Sequence, residues 1–436
     1  MVIVDTLLAQ RHEQGNPVRV GLIGAGYMAR GIINQIKNYV QGMELVAISN
    51  RTGSTAFEAC LGAGFTNEEL VSVDNVADLE RAIDGGKTAV TDNVDLLCEA
   101  GNIEILLEST GHVEFGAYVS TKAIKEGKHL VTMNAELDAT VGPVLKKHAD
   151  SAGVIFTGCD GDQPAVQMNL YRFVKSIGLT PLLCGNIKGL QDRYRNPTTQ
   201  EAFAKQWGQS PHMVTSFADG TKISFEQAIV ANATGMTVAQ RGMLGYESTD
   251  HVDDMVHLYD VDQLRELGGI VDYVVGPKPS PGVYIYAERG DDTTQAHYLN
   301  YGKLGEGPLY SFYVPYHLTV FEVPLSVARV ALAQDLVISP LGGPVVDVIT
   351  TAKVDLKAGQ TLDGLGGYHT YGLCERSDIT ANDQLLPMGI AEGCVLKRDI
   401  AKDQVLTYND VTLPQNLCVQ LRQEQDAVFN KLQQAS

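Results

Sequence analysis

A glycine-rich segment near the start of the chain constrains the fold more than any other feature. From Gly21 to Ala29 the sequence is Gly-Leu-Ile-Gly-Ala-Gly-Tyr-Met-Ala, so a G-x-G-x-x-A pattern follows an apolar run and opens an amphipathic one. This pattern between a strand and a helix is typical of a dinucleotide-binding turn. Gly24 permits the tight turn, and Gly26 lets the backbone approach a pyrophosphate at the helix N-terminus. The alternative is a tight turn that binds nothing.

Short apolar runs and helical stretches alternate after this turn. Strands are predicted at 18–23, 44–48, 103–107, 129–133 and 154–156, and helices at 27–40, 115–125 and 141–152. Such alternation indicates a parallel sheet with crossover helices. The sequence therefore predicts an α/β protein with an N-terminal Rossmann domain over residues 1–160.

The pattern changes beyond residue 160. A helix predicted at 164–177 is followed by a strand-turn-strand signal at 214–225, extended runs at 282–287 and 308–313, and a helix at 324–333. These elements predict an α+β domain over residues 161–342 that carries substrate and catalytic groups. The remaining 343–436 is glycine-rich, with strands predicted at 345–352 and 407–411, a turn at 357–359 and a helix at 417–434. It predicts a small β-rich third domain.

Charge and composition exclude several classes of partner. The chain has 52 acidic and 33 basic residues and a formal charge of -19, so nucleic acid and anionic membrane surfaces are poor partners. Charged residues interrupt the first twenty positions, and no apolar run reaches membrane-spanning length. The seven cysteines contain no C-x-x-C pair. We therefore expect a cytoplasmic protein with reduced cysteines.

The end of the second predicted strand favours NADP(H) over NAD(H). An acidic residue there would bind the ribose 2′-hydroxyl, but this chain has Asn50, Arg51 and Thr52. Arg51 can pair with a 2′-phosphate through its forked donors, and its neighbours can add hydrogen bonds. The alternative is a solvated surface arginine.

Polar residues also follow two later strands, where a nicotinamide would rest. Ser109, Thr110 and Gly111 follow the strand at 103–107, and Asn134 follows the strand at 129–133. The alternative is that such residues cap the next helix. The complete set of predicted cofactor contacts is Gly24, Gly26, Tyr27, Met28, Asn50, Arg51, Thr52, Ser109, Thr110, Gly111 and Asn134.

Several segments, taken together with the glycine turn, carry a family resemblance. They are residues 127–131, 133–134, 231–235, 280–283, 315–319 and 322–325. Through them the chain resembles the homoserine dehydrogenase-like oxidoreductases, and in particular the deoxyxylulose-phosphate reductoisomerase-like group. Residues 352–359 resemble a SAF-type domain. The resemblance implies NADPH, a middle domain for catalysis and dimerisation, a SAF-like C-terminal domain, and a homodimer or higher homo-oligomer.

The resemblance implies less about the substrate. Homoserine dehydrogenases carry a lysine directly after the asparagine that ends the corresponding strand, whereas Ala135 and Glu136 follow Asn134 here. Their acidic substrate-binding signature has no counterpart at 188–195, which reads Lys-Gly-Leu-Gln-Asp-Arg-Tyr-Arg. Homoserine is therefore the less favoured substrate.

Reduction of a carbonyl needs a hydride donor, a polarising group and a proton source. We assign Lys188, which follows an apolar strand, to the last two roles. Asp162 and Glu136 are further catalytic candidates, and their oxygens could bind Mg²⁺ or Mn²⁺. The alternatives are a solvated loop lysine and an aspartate that caps the next helix.

Three more residues are candidates for binding the substrate. Arg193 and Arg195 lie close to Lys188 in an acidic chain, which suggests a phosphate or carboxylate on the substrate. The alternative is a solvated basic loop. His317, separated from Glu322 by a strand-like run, is either a substrate contact or a structural histidine. We expect the pocket to hold Lys188 together with both acidic candidates and at least one of the arginines.

The sequence leaves three functions open. The first is an NADPH-dependent reductase or reductoisomerase for a small anionic hydroxy-ketone or sugar-derived substrate, such as 1-deoxy-D-xylulose 5-phosphate or a relative. The second is a semialdehyde reductase of the homoserine dehydrogenase type. The third is a dinucleotide-binding sensor or scaffold without catalysis.

Overall fold

Seven parallel strands form the first sheet of the computed structural model, which describes residues 4–433. The strands are β1 (Val18–Ile23), β2 (Met43–Ser49), β3 (Leu70–Ser72), β4 (Thr88–Thr91), β5 (Ile105–Glu108), β6 (His129–Thr132) and β7 (Phe156–Gly158). The helices of this region are α1 (Asp5–Glu13), α2 (Tyr27–Tyr39), α3 (Gly53–Gly62), α4 (Val76–Asp84), α5 (Val94–Glu99), α6 (Val113–Lys125) and α7 (Ala135–Ala152). The order β3-β4-β2-β1-β5-β6-β7 reverses at β1, which confirms the predicted Rossmann fold.

The second sheet is mixed and has the order β12-β11-β8-β10-β9. Its strands are β8 (Thr180–Lys188), β9 (Tyr246–Glu247), β10 (Ile270–Val275), β11 (Gly282–Glu288) and β12 (Leu309–Val314). The helices are α8 (Gln163–Ser176), α9 (Pro197–Trp207), α10 (Pro211–Ala218), α11 (Thr221–Thr234), α12 (Val261–Glu266), α13 (Thr293–Tyr301) and α14 (Thr319–Ala333), with a 3-10 helix at Val252–Leu258. Strand β11 runs antiparallel to both of its neighbours. This is the predicted α+β region.

Two segments of this region were predicted wrongly. The strand-turn-strand at 214–225 is helical, because α10 and α11 occupy it and Gly220, with φ +89°, is the N-cap of α11. Almost every residue of α11 is buried, and the helix packs against α7, α8 and the second sheet. Tertiary burial thus outweighs the local β-propensity of Ile223 and Phe225. The strand-like run after His317 is instead the first turn of α14.

Helix α14 returns to the first sheet after the second sheet is complete. Its buried residues Val323, Val327 and Val330 join the same apolar cluster as Ile32 and Ile33 of α2. The segment that follows also pairs with the first sheet, because Gly158 N donates to the Ile338 carbonyl at 3.0 Å. Part of the segment predicted as the middle domain therefore packs with the Rossmann layer.

The C-terminal region is built from short antiparallel pairs. Its elements are β13 (Val346–Ala352), β14 (Thr370–Arg376), α15 (Ser377–Asn382), β15 (Val395–Leu396), β16 (Val411–Thr412) and α16 (Leu417–Gln433), with 3-10 turns at Met388–Ile390 and Tyr408–Asp410. The strand predicted at 407–411 is therefore mostly wrong. Helix α16 packs on α6 and α7, and residue 434 of the predicted helix lies outside the described residues. Within residues 4–433 no helix is long and apolar enough to cross a bilayer.

Candidate active site

The glycine turn between β1 and α2 is tight at Gly24 and open to solvent at Gly26. Gly24 has φ +108°, and a Cβ added there would lie 3.0 Å from the nearest side chain of the loop after β5. Gly26 is the N-cap of α2, and no atom lies within 4 Å of the position of its missing Cβ. Tyr27 and Met28 begin α2 and are at least partly exposed. The first amides of α2 can therefore face a phosphate in open space.

Arg51 lies beside this turn, directly after β2. Its side chain is exposed, and Ser49 instead of an acid ends the strand. Asn50 holds the loop, because its Nδ2 donates to the Thr52 carbonyl at 2.9 Å and its backbone N donates to the Thr91 carbonyl at 3.1 Å. An unobstructed guanidinium at this position suits a 2′-phosphate.

The loop after β5 is held by its own side chains. Ser109 Oγ donates to the Ile23 carbonyl at 3.0 Å, which ties the loop to β1. Thr110 donates to Glu108 through its hydroxyl and through its backbone N, the latter at 2.7 Å. Burial raises the pKa of Glu108, and the threonine hydrogen bonds oppose this shift. Gly111 has φ +69°, so the loop turns where a side chain would be strained.

Asn134 follows β6 and is the N-cap of α7. Its Oδ1 accepts from Leu137 N at 3.1 Å, and its Nδ2 donates to the His112 carbonyl at 3.1 Å. These bonds satisfy a helix terminus and fix the loop after β5. The capping role is therefore present in the structure, and direct contact with the cofactor stays a prediction.

Lys188 ends β8 beside a carboxyl group that the sequence analysis missed. Burial lowers the pKa of Lys188, and the charge of Glu226 on α11 opposes the shift. Burial raises the pKa of Glu226, and the charge of Asp162 adds to the increase. Asn186 Nδ2 donates to Glu226 Oε2 at 3.3 Å, which holds the carboxyl in place. A lysine with a lowered pKa and a carboxyl group with a raised pKa are both suited to donating a proton.

A second ion pair lies next to this one. Lys222 Nζ on α11 is 3.1 Å from Glu136 Oε1 on α7, and both side chains are largely buried. Burial alone would lower the pKa of Lys222, but the charges of Glu136, Asp162 and Glu226 together raise it. Asp162 Oδ1 also accepts from Gln163 N at 3.1 Å as the N-cap of α8. The structure thus brings all three predicted catalytic residues into one cluster.

His317 joins the cluster from the loop before α14. Its Nε2 lies 3.2 Å from Gln163 Nε2, and its buried Nδ1 has no hydrogen-bond partner among the described residues. Burial lowers the pKa of His317, and the charge of Asp162 opposes the shift. A neutral imidazole with one unpaired nitrogen can donate to or accept from a substrate hydroxyl.

The contacts of the two predicted arginines are with Asp192 and with the C-terminal region. Arg195 Nε pairs with Asp192 Oδ2 at 3.0 Å, and its carbonyl accepts from Lys353 Nζ at 2.8 Å. The Arg193 guanidinium lies 5.9 Å from the centre of the Tyr371 ring. Both therefore contact the C-terminal region, and the expectation that Lys188 shares its pocket with an arginine stays a prediction. The loop after β8 is bound to the end of α10, because Asp192 N donates to the Ala218 carbonyl at 2.8 Å.

Two protein-family models match the chain, one over the first sheet and one over the region that follows it. The family model of the homoserine dehydrogenase NAD-binding domain matches residues 24–157, and the model of the catalytic domain of oxidoreductase DRL matches residues 161–323. The chain is an oxidoreductase, and its residues 161–323 are similar to that catalytic domain. A homoserine dehydrogenase from Methylobacillus glycogenes is 28% identical over 144 residues, which cover 31% of this chain and 30% of that protein. The chain therefore matches less than a third of that relative's length.

Solved structures resemble the chain more distantly. A probable dehydrogenase from Thermotoga maritima has 11% identity and a TM-score of 0.40, covering 74% of this chain and 90% of its own. The myo-inositol 2-dehydrogenase from Lactobacillus plantarum has 17% identity and a TM-score of 0.36, covering 64% of this chain and 75% of its own.

The acidic pair does not fit the predicted divalent cation. The Lys222 ammonium pairs with Glu136, and Asp162 already accepts a backbone hydrogen bond. No group of three or more His, Cys, Asp or Glu side chains suited to a metal occurs within residues 4–433. Mg²⁺ and Mn²⁺ take several oxygen ligands, and a neighbouring ammonium repels them.

Sequence analysis missed three side chains of the candidate site, namely Glu226, Lys222 and Asn186. Lys222 and Glu226 are four residues apart, which places them on one face of a helix. In the strand-turn-strand predicted there, four residues of extended chain would instead hold the two side chains far apart. A helix prediction for 221–234 would have shown the pair, and Asn186 lies two residues before Lys188 on the same face of β8.

Proposed function

We propose that this oxidoreductase uses NADPH to reduce, or reductively isomerise, a small anionic hydroxy-ketone or sugar-derived substrate. The substrate class comes from the family resemblance, with 1-deoxy-D-xylulose 5-phosphate or a relative as the example. One observation carries the chemistry: Lys188 and Glu226 lie close enough for each charge to shift the other's pKa, next to the buried Lys222–Glu136 ion pair. Glu136 and Asp162 follow β6 and β7 at the carboxyl edge of the first sheet. In this fold that edge is where a nicotinamide and its substrate meet.

The cofactor site fits NADPH in two places. The open face of Gly26 and the first amides of α2 would hold the pyrophosphate, and Arg51 would pair with the 2′-phosphate. When bound, the nicotinamide supplies the hydride for the carbonyl carbon.

The proton for the carbonyl oxygen comes from the Lys188–Glu226 pair. Burial favours the neutral form of each partner, so the pair can share one proton and pass it on as negative charge develops on the oxygen. Asn186 orients Glu226, and the charge of Lys222 limits the rise in its pKa. His317 is placed to bind a substrate hydroxyl through its unpaired Nδ1.

Cofactor preference tests the role of Arg51. NADPH should bind at least tenfold more tightly than NADH, about 1.4 kcal/mol, and Arg51→Asp should abolish or reverse this ratio because a carboxylate repels the 2′-phosphate. Isothermal titration calorimetry with both dinucleotides gives the two affinities. Arg81→Asp, on the exposed face of α4, is the control and should leave the ratio unchanged. Equal wild-type affinities would contradict the assignment.

Turnover tests the role of Lys188. Lys188→Met should lower kcat by roughly 10² or more with NADPH affinity nearly unchanged, because only the proton source is lost. The absorbance of NADPH reports turnover of 1-deoxy-D-xylulose 5-phosphate and of related hydroxy-ketones. Lys205→Met, an exposed position on α9, is the matched control. Near-normal turnover by Lys188→Met would eliminate its role.

The homoserine dehydrogenase match supports a second candidate, reduction of an amino-acid semialdehyde. Aspartate semialdehyde in the same assay separates the two, because only the second candidate reduces it efficiently. If the protein binds NADPH but oxidises it with neither class of substrate, it is instead a dinucleotide-binding sensor or scaffold.

A further inference from the structure

A second cleft lies between the loop after β8 and the C-terminal region. Its volume is about 510 Å³, and Tyr194, Asn196, Asp355, Tyr368 and Lys402 are among its lining residues. None of its lining residues belongs to the Lys188 cluster. We propose that this cleft binds a neutral polyhydroxyl ligand of the size of a pyranose ring, at a site separate from hydride transfer. Its volume falls in the range of small-molecule sites, roughly 300–1,000 Å³.

Two tyrosine rings contribute apolar surface to the cleft. Tyr194 is 44% exposed and Tyr368 is 43% exposed. The hydroxyl of Tyr194 donates to Asp403 Oδ2 at 2.9 Å, and that of Tyr368 is 2.8 Å from Thr198 Oγ1. Their hydroxyls are thus tied to the protein, while much of each ring stays accessible. Rings held in this way offer rigid apolar area at low entropic cost, which suits the C–H face of a sugar ring.

Hydrogen-bonding groups of both kinds are held next to these rings. Asn196 Oδ1 accepts from Thr199 N at 3.1 Å, and its Nδ2 has no partner among the described residues. Asp355 Oδ1 accepts from Lys402 N at 2.8 Å, which leaves Oδ2 as an acceptor. One amide donor and one carboxylate acceptor, each fixed by a backbone bond, match the hydroxyl groups of a polyol.

The charges favour a neutral ligand over an anion. Lys353 Nζ donates to the carbonyls of Arg195 and Gly367 at 2.8 Å each and to Asp219 Oδ2 at 2.9 Å, so all three of its hydrogens are used. The Lys402 ammonium lies 3.6 Å from the centre of the Tyr194 ring, and Asp355 contributes an opposing charge. An anion would therefore find little uncompensated positive charge.

Methyl glycosides test the proposal, because a blocked anomeric carbon cannot serve as a carbonyl substrate. The probes are the methyl pyranosides of glucose, mannose, galactose and xylose, with inorganic phosphate as the anionic probe. Saturation-transfer NMR and titration of the full chain should show at least one glycoside binding with a Kd of about 10 mM or below. Binding of phosphate alone, or of no glycoside, would overturn the proposal.

Two variants locate the binding. Val354→Trp fills the cleft at an exposed lining position, and Tyr368→Ala removes one ring; each should weaken glycoside binding at least about tenfold. Tyr301→Ala, an exposed tyrosine on α13, should leave it unchanged. Lys188→Met should also leave it unchanged, which separates this site from the proposed reductase site. Retained binding in both cleft variants, or its loss in Lys188→Met, would overturn the assignment.

Discussion

A side chain added at Gly26 should be compatible with the fold but not with the bound cofactor. Its φ is -76°, and no atom lies near the position of its missing Cβ, so a larger side chain meets no obstacle in the free protein. We expect Gly26→Val to keep the thermal midpoint of unfolding but to weaken NADPH binding at least tenfold, about 1.4 kcal/mol, because the side chain enters the pyrophosphate site. Calorimetry measures both quantities. Gly24→Val should lower both, since φ +108° strains any side chain; unchanged affinity in Gly26→Val would refute the turn's role.

Sequence analysis located most accurately those candidate site residues that end a strand or follow one closely. Glu136 and Asp162 follow strands of the first sheet and Lys188 ends a strand of the second, so the topology alone brings them near one another. Arg193 and Arg195 lie in a loop whose course depends on a hydrogen bond to the end of α10. No local sequence pattern reports such a bond.

Helix α7 carries a carboxyl group that binds a proton more tightly in the folded state than in the unfolded state. Asp138 is 3% exposed, its Oδ1 has no hydrogen-bond partner within the described part of the chain, and burial raises its pKa to about 7. The folded state therefore binds a proton that the unfolded state releases above about pH 4. The contribution of protonated Asp138 to the unfolding free energy is complete below about pH 4, and it is lost as the pH rises through about 7.

Asp138→Asn should remove this titration. The gain in unfolding free energy should be larger at pH 8 than at pH 5 by about 3 kcal/mol, measured by urea denaturation at both pH values. Asp347→Asn is the control: this buried carboxylate pairs with Arg422 at 2.5 Å, so its loss should destabilise at both pH values. An equal effect of Asp138→Asn at both pH values would rule out a raised pKa.

Sequence analysis predicted strands and helices well where the pattern of buried residues has the period of a single type of secondary structure. The parallel strands, buried on both faces, appear as continuous apolar runs, and the helices beside them are amphipathic. Helix α11 has no amphipathic pattern, since almost all of its residues are buried between two sheets and other helices. Its position in the middle of the molecule, unknown from the sequence, decides its conformation.

At the scale of the whole molecule, one buried arginine joins the start and the end of the catalytic region. Arg329 on α14 is 1% exposed, and its Nη1 lies 2.9 Å from Asp160 Oδ1 while its Nη2 lies 2.7 Å from Asp335 Oδ2. Asp160 lies between β7 and α8, where the chain leaves the first sheet. Asp160 also accepts from Ser326 Oγ at 2.9 Å and from Asn169 Nδ2 at 2.6 Å. Because Arg329 and Asp160 are 169 residues apart, the sequence gives no sign of this junction.

Removing the arginine should loosen this junction by leaving a carboxylate buried without its cation. We expect Arg329→Met to lower the unfolding free energy by about 3 kcal/mol or more, and the double variant with Asp160→Asn to recover part of the loss because the unpaired charge is gone. Differential scanning calorimetry gives the order of thermal midpoints. Arg265→Met, which breaks an exposed pair with Glu288, should leave the midpoint unchanged. If the double variant is no more stable than Arg329→Met, the loss comes from packing and the buried charge is not its cause.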